Sequence, residues 1–361
     1  MSRCIAVMSL MIACGLTVIV VSSSAQGVAQ IESTIAGYVE EGHFMCSVLV
    51  ARSGEVVYKG GAGMANREWD IPNAADTKFR LVSITKQFTA VLVLQLAEQG
   101  ALDLDDTISD HLSDYRKDTG KTITIHHLLT HTSGLPNYTA LPGFFKDDSR
   151  DPYSVDDFVE QFCSGDLEFE PGKRWRYSNS GYFVLGAIVE AVAGKTYNDL
   201  LRERIFDPLG MSDTGYDEHG EILKQRATGY TRRDGALRNS PYLDMSLPYA
   251  AGALYSTVED LYKWDRALYT DALLSPKMKK QMFTAHKQDY GYGWSIREQK
   301  VRDGDERVTT IGHGGGINGF STAILRAPDD QHLVVVLGNL DSSRSGPLSI
   351  ELLNLLYGDE R

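Results

Sequence analysis

Ser83-Ile84-Thr85-Lys86 is the first of three short segments whose side chains could carry out chemistry in this 361-residue chain. It places a hydroxyl and an amine on one face of a predicted helix. A lysine inside an apolar helix is desolvated unless something compensates, and desolvation lowers its pKa towards that of a usable base. Such a base could activate the serine as a nucleophile. In the structural alternative, Ser83 caps the helix and Lys86 reaches solvent.

Tyr177-Ser178-Asn179 is the second segment, and it precedes a helical pattern that begins near Ser180. Loops that run into a helix often display functional side chains. Tyrosine, serine and asparagine are also frequent in loops and caps, so this segment alone is compatible with a purely structural role.

The third segment is a glycine cluster at residues 312–320, which contains His313, Gly315 and Gly316. Glycines let another backbone or a ligand approach closely and free N–H groups to point into a cleft. A phosphate cradle is disfavoured, because no Gly-Lys-Ser/Thr follows. A plain flexible turn is the structural alternative.

The elements that must hold these segments are predicted from hydrophobic patterns. Residues 84–100 are apolar on nearly every side and end at a glycine, which predicts a buried helix. Alternation in residues 45–51 and 55–63 predicts a β-hairpin. Other patterns predict helices at 31–42, 154–163, 180–193, 196–205, 257–268 and 347–357, and strands at 292–297, 308–311, 321–326 and 332–337. Strands near both ends predict an α+β fold, with one sheet completed by both termini around a helical region.

Taken in order, the three segments resemble a known family. Ser83-x-x-Lys86, Tyr177-x-Asn179 and His313-x-Gly315, spaced by 94 and 136 residues, are similar to the active-site elements of the penicillin-recognising serine hydrolases. The branch resembled contains class C β-lactamases, D-alanyl-D-alanine carboxypeptidases, D-aminopeptidases and β-lactamase-like esterases. Shorter matches extend the resemblance over about residues 31–337, at 127–135, 170–172, 251–257 and 292–294.

This resemblance implies a β-lactamase/transpeptidase-like fold, in which helices flank an antiparallel sheet built from both termini. The sheet halves are expected at about residues 31–65 and 290–357, with a mostly helical region at about 66–289. Residues 26–361 are then a single catalytic domain.

The resemblance also implies acyl transfer through an ester intermediate on Ser83. Lys86 and Tyr177 would handle the protons, and which of them is the base stays open. Asn179 would orient Lys86 and hydrogen-bond the substrate amide. The backbone N–H groups of Ser83 and Gly316 would form the oxyanion hole. No metal or organic cofactor is implied.

The third element, with His313, Gly315 and Gly316 as substrate-binding residues, departs from the best-known members. Those members have lysine followed by threonine or serine there, which holds a substrate carboxylate. Here His313 and Gly314 take the two positions, so the hydroxyl is absent and the charge depends on pH. A neutral histidine offers a hydrogen bond but no full ion pair, which favours small peptide amides, including D-amino-acid amides, or esters as substrates. A class C-like β-lactamase and a non-catalytic sensor that binds peptidoglycan or β-lactams are the alternatives.

Residues 1–25 have the order of a signal peptide: Arg3, an apolar run of 18 residues and small residues at the cut. The predicted location is therefore periplasmic or secreted. An uncleaved membrane anchor is the alternative, because 18 residues only just reach spanning length. Removal of this segment takes the formal charge from −12 to −13. Such an acidic surface makes nucleic acid and anionic membrane unfavourable partners, and a small molecule or short peptide is the expected one. The sequence does not indicate the oligomeric state.

Four histidine and cysteine positions suggest other chemistry. Cys46 and Cys163 remain after cleavage, and one disulfide is geometrically open, although we expect free, buried thiols. His127 and His131 are four residues apart, as zinc ligands on one helix can be. Leu128 occupies the place of the glutamate in His-Glu-x-x-His, so a zinc site is disfavoured.

Overall fold

A computed structural model describes residues 18–40, 44–301 and 306–358. The helices of these residues are α1 Val18–Glu40, α2 Thr85–Glu98, α3 Ile108–His111, α4 Lys117–Gly120, α5 Ile125–Leu129, α6 Phe144–Asp147, α7 Val155–Phe162, α8 Asn179–Ala193, α9 Tyr197–Leu201, α10 Asp207–Leu209, α11 Tyr249–Gly252, α12 Val258–Ala267, α13 Pro276–Met282 and α14 Ser345–Gly358. The strands are β1 Cys46–Arg52, β2 Glu55–Ala62, β3 Met64–Asn66, β4 Ile71–Pro72, β5 Phe79–Arg80, β6 Gly215–Tyr216, β7 Tyr230–Arg233, β8 Ala236–Asn239, β9 Leu254–Ser256, β10 Ser295–Lys300, β11 Arg307–Ile317, β12 Phe320–Ala327 and β13 His332–Gly338.

The main sheet joins both ends of the chain, as predicted. Its strands run in the order β10-β11-β12-β13-β1-β2, and every neighbouring pair is antiparallel. The central pairing sets β1 against β13, from Cys46 opposite Gly338 to Ala51 opposite Leu333. Because β1 and β13 are buried on both faces, they read as nearly continuous apolar runs.

Two helical layers cover the sheet. On one face, Ile31 and Ile35 of α1 share a core with Leu352 of α14 and with Val48 and Val50 of β1. The alternate residues of β1, including Leu49, turn to the other face and join the large core around α2 and α8. Successive side chains of β1 point to opposite faces of the sheet, so this strand contributes residues to both cores. The second core is the one that carries the site.

Most predicted elements are found within a few residues of their expected bounds, including the buried helix α2 and the β1–β2 hairpin. The glycine cluster departs from the flexible-turn alternative, because residues 312–317 continue β11 and only Asn318 and Gly319 form the turn into β12. Strand β10 begins three residues later than the predicted strand at 292–297.

Other expectations concern the chain's ends and its histidines. Residues 1–17 of the predicted signal peptide lie outside the described residues. Among the helices that are described, none combines the length and apolarity needed to cross a membrane.

His127 lies in α5, which ends at Leu129, whereas His131 follows in a left-handed conformation with φ 57°. The two histidines are therefore not on one helix face, and the described residues contain no metal-binding group of three or more His, Cys, Asp or Glu.

Candidate active site

Ser83 lies in a tight turn at the start of α2. Strand β5 pairs with β9, and the Leu81 N–H donates to the Leu254 carbonyl at 2.7 Å. The chain then makes a 3-10 turn over Val82–Ile84 before the α-helix begins. Val82 has φ 54°, a strained conformation for a β-branched residue. Ser83 is half-buried, and its N–H belongs to the first helical turn, where N–H groups lack intrahelical acceptors.

Lys86 lies one turn further along α2 and is fully buried. Its Nζ is 2.8 Å from Asn179 Oδ1, 2.7 Å from the Ala251 carbonyl oxygen and 3.2 Å from Ser83 Oγ. Burial lowers the pKa of Lys86 well below 10.5. The first two partners only accept hydrogen bonds. A neutral Lys86 amine therefore donates its two N–H groups to Asn179 Oδ1 and the Ala251 carbonyl, and its lone pair can accept a hydrogen bond from the Ser83 hydroxyl.

The ring of Tyr177 lies next to the Lys86 amine. Lys86 Nζ lies 5.0 Å from the centre of its ring. Burial raises the pKa of the Tyr177 phenol, and a hydrogen bond with the Ser83 side chain only partly opposes this. The phenol is therefore protonated at neutral pH and can give a proton to a neighbouring group.

His131 holds the segment that carries Tyr177. Its Nδ1 accepts the backbone N–H of Ser178 at 3.2 Å, and its ring centre lies 4.3 Å from that of Tyr177. Ser178 in turn caps α8, so Asn179 starts that helix with its side chain beside Lys86. The Nδ2 of Asn179 donates to Thr139 Oγ1 at 3.3 Å. The structure thus places Asn179 as a support of Lys86, with its amide donor directed to the wall of the cleft.

His313 is neutral, and protein groups occupy both of its ring nitrogens. Its Nδ1 lies 2.6 Å from the Gly314 carbonyl oxygen, so Nδ1 carries the proton and donates it there. Its Nε2 accepts the Tyr290 hydroxyl at 3.0 Å. Burial, with a contribution from Lys86, lowers the pKa of His313 to about 3. His313 therefore offers a substrate carboxylate neither a positive charge nor a free N–H group.

Gly315 allows β11 to approach the turn that carries Ser83. A Cβ on Gly315 would lie 2.8 Å from the Leu81 carbonyl oxygen, 2.8 Å from Val82 Cβ and 2.6 Å from Thr322 Oγ1. The structure thus places Gly315 against the backbone beside Ser83 and outside the lining of the cleft.

Gly316 has open space around it and faces the cleft. The two-residue hairpin closes at Ile317 opposite Phe320, and hydrogen-bonded and non-hydrogen-bonded pairs alternate from there. Gly316, opposite Ser321, is in a non-hydrogen-bonded pair, so its N–H points away from β12. Strand β10 pairs with β11 only as far as Gly312, so this edge is not covered by β10.

A cleft of about 400 Å³ opens beside Ser83. Two long loops, 137–152 and 218–248, form part of its walls. The remaining lining comes from the turn at Ser83, the start of α8, the end of α11, the end of β11 with its hairpin turn, and Asp341. The lining residues are Val82, Ser83, Tyr138, Thr139, Phe144, Phe145, Asn179, Leu243, Leu247, Pro248, Ala251, Gly252, Gly316, Ile317, Asn318 and Asp341.

Sequence reasoning missed several residues of this site. The Ala251 carbonyl that accepts from Lys86 carries no side-chain signal. Tyr290 and His131 lie in segments noted for other reasons, and their partners His313 and Ser178 are 23 and 47 residues away. Asp341 is a single acid after the last strand, without any pattern that marks it.

The fold and this constellation define a class, the β-lactamase-fold serine hydrolases. The beta-lactamase family model matches residues 31–356, and the chain belongs to that family. One relative is PbpX of Bacillus subtilis (strain 168), named as a penicillin-binding protein. It is 30% identical to this chain over 325 residues, which cover 89% of this chain and 78% of PbpX.

Two solved structures are also similar. An octameric penicillin-binding protein homologue from Pyrococcus abyssi is 29% identical with a TM-score of 0.79, over 92% of this chain and 77% of that one. A D-amino acid amidase from Ochrobactrum anthropi SV3 is 26% identical with a TM-score of 0.78, over 92% of this chain and 98% of that one. The relatives thus include penicillin-binding proteins and an amidase of the same superfamily.

Proposed function

We propose that this protein hydrolyses small amides or esters through an acyl-enzyme on Ser83. The observation that carries the proposal is the environment of Lys86. Its amine is buried and lies 3.2 Å from Ser83 Oγ, and two acceptor-only oxygens fix it. A neutral amine in that place can take the hydroxyl proton as the serine attacks.

The proposed reaction follows from the positions of these groups. Ser83 Oγ bonds to the substrate carbonyl carbon while its proton passes to Lys86. The N–H groups of Ser83 and Gly316 stabilise the resulting oxyanion. The bond to the leaving amine or alcohol then breaks, and Tyr177 gives that group a proton, which Lys86 replaces. Water attacks the ester and releases the acid and the serine.

The opposite pKa shifts favour Lys86 as the base. Burial lowers the pKa of the lysine well below 10.5 and raises that of Tyr177, so both buried groups are shifted towards their neutral forms. Forming a tyrosinate beside a protonated lysine would charge two buried groups. We therefore assign Tyr177 the transfer of a proton to the leaving group.

The state of His313 supports amide or ester substrates over β-lactams. Penicillins and cephalosporins carry a carboxylate, and His313 is neutral with both nitrogens occupied. The amidase relative supports amide bonds, including those of D-amino acids. A β-lactamase is the second candidate, supported by the family match alone.

We also propose that the protein is exported, with residues 1–25 removed and residues 26–361 forming the catalytic domain. The order of basic, apolar and small residues in that segment supports this. N-terminal sequencing of protein recovered outside the cytoplasm tests it. A start near residue 26 is expected, and an intact N-terminus at a membrane would contradict it.

Turnover of a substrate panel by the parent and by Ser83→Ala tests the reaction. The panel comprises a p-nitrophenyl ester, a D-amino acid amide, a D-alanyl peptide and nitrocefin. We expect Ser83-dependent hydrolysis of the ester and the amide, with nitrocefin slowest. Fast nitrocefin turnover would favour the β-lactamase. Stable acylation of Ser83 without release of any product would favour the binding sensor.

A further inference from the structure

Asp341 is the one charged residue that lines the cleft within the described residues. It follows β13, and its backbone N–H donates to the Tyr230 carbonyl at 3.1 Å. Its side chain is half-buried. Among the described residues, no side chain pairs with its carboxylate. A carboxylate without a protein partner can accept charged hydrogen bonds from a cationic ligand.

The rest of the cleft offers no competing positive charge. Its lining contains neither lysine, arginine nor histidine. Lys86 lies behind the wall with its amine occupied, and His313 is neutral. The net charge of −12 adds a general attraction for cations.

The remaining walls are mostly apolar. Phe145 presents an exposed aromatic ring, whereas Tyr138, Phe144, Leu243 and Leu247 line the cleft with nearly buried side chains. The Phe145 ring can pack on an apolar group, and an aromatic face also attracts an ammonium group. The cleft thus combines apolar surface, one carboxylate and Ser83 in about 400 Å³.

We propose that the substrate carries an ammonium group and an apolar group near its scissile carbonyl, and that Asp341 binds the ammonium. Amides and esters of apolar amino acids with a free amine are the simplest members of this class. The proposal rests on the proposed function for the identity of the reacting bond. The binding of the cation is independent of that chemistry.

Two readouts separate the binding of the cation from catalysis. The first compares kcat/KM for phenylalanine p-nitroanilide, as D and L forms, with kcat/KM for the N-acetylated forms, which lack the charge. The second measures, by calorimetry in the Ser83→Ala protein, the binding of phenylalaninamide and of N-acetylphenylalaninamide. Asp341→Asn keeps the shape of the side chain and removes its charge. Asp329→Asn removes the same charge from an exposed position outside the cleft lining.

We expect Asp341→Asn to lower the preference for the free amine by about 10- to 100-fold in both readouts, the size of a charged hydrogen bond. Asp329→Asn should leave the preference unchanged. An equal loss for charged and acetylated ligands, or the same loss in Asp329→Asn, would overturn the proposal. If the amide binds through Asp341 but no substrate shows Ser83-dependent turnover, the proposed function fails and the ammonium site stands.

Discussion

Among the described residues, no carboxylate pairs with the Lys86 amine, so burial alone sets its charge. Its neighbours are two oxygen acceptors, the Ser83 hydroxyl and the rings of Tyr177 and Tyr182. Burial shifts the amine towards its neutral form, which serves catalysis in the proposed reaction and lowers stability, because the unfolded chain protonates the same lysine readily. The proposed reaction therefore makes activity and stability depend on Lys86 in opposite directions.

Lys86→Met tests this opposition. The variant should lose about 10²- to 10⁴-fold in acylation rate, the usual contribution of a general base. Between the lowered native pKa and 10.5, unfolded parent binds more protons than native parent, so its unfolding free energy rises with pH. The variant lacks this contribution. The unfolding free energy of the parent should therefore rise relative to that of Lys86→Met as pH increases towards 10.5.

Denaturant unfolding at several pH values, alongside acylation rates, measures both effects. Lys280→Met is the matched control, because Lys280 is exposed and should show neither effect. A difference in unfolding free energy between parent and Lys86→Met that is constant with pH would show that the native lysine keeps an ordinary pKa.

Some residues of the candidate site could be predicted from the sequence, and others could not. The motif placed Ser83, Lys86, Tyr177 and Asn179 together, and the structure brings all four into contact around one amine. The occupied nitrogens of His313 were not predictable, because Tyr290 reaches it only through the folded chain.

At the scale of elements, the geometry of the candidate active site depends on how closely strand β11 approaches the turn before α2. Gly315 permits that approach on one side. Gly293, with φ 80°, lets the segment before β10 approach the backbone of α2 on another side. A Cβ on Gly293 would lie 2.7 Å from the Lys86 carbonyl oxygen. These contacts position the first turn of α2 between two backbone segments.

Gly315→Ala should therefore impair catalysis more than folding. Its new methyl group would press on Val82 and the Leu81 carbonyl, and rigid backbone can relieve this only by moving the Ser83 turn or β11. We expect a loss of at least about tenfold in kcat and a cost of about 1–3 kcal/mol in unfolding free energy.

Gly314→Ala is the neighbouring control. Its Cβ would meet only the Thr322 carbonyl oxygen, at an ordinary 3.5 Å, and Gly314 is exposed. Steady-state kinetics and thermal unfolding of both variants measure the difference. Equal effects from the two substitutions would mean that the close approach at Gly315 does not control the site.

Elements with strong periodicity were predictable, and the glycine cluster was not. Helix α2 and the β1–β2 hairpin lie where their patterns indicated. Glycine-rich residues 312–317 have little intrinsic strand preference, and pairing with β12 makes them a strand. Tertiary contacts thus decided the element that local sequence left open.

At the scale of the whole molecule, the sheet closes only when both ends of the chain meet. Strand β1 pairs with β13, and α1 packs on α14. The order of strands and helices along the chain predicted this arrangement. The shape of the cleft could not be predicted, because long loops build it and distant contacts set their conformations.

The accessibility of the two described cysteines can be used to measure whether the native structure is intact. Cys46 and Cys163 are free and buried, as expected, and burial raises the pKa of both thiols. Both should react with iodoacetamide only when the protein unfolds, since the reagent needs an accessible thiolate. Mass spectrometry of alkylated peptides across a denaturant series measures this. Alkylation of either cysteine in active, native protein would contradict the placement of Cys46 in β1 or of Cys163 after α7.

The most direct measurement for the central claim is the site of covalent reaction. The purified protein is incubated with a serine-reactive phosphonate, and the adduct is located by peptide mass spectrometry in the parent, in Ser83→Ala and in Ser113→Ala, an exposed serine outside the cleft. We expect one adduct per chain, on Ser83, present in the parent and in Ser113→Ala and absent from Ser83→Ala. An adduct on another residue, or labelling that survives in Ser83→Ala, would contradict the account.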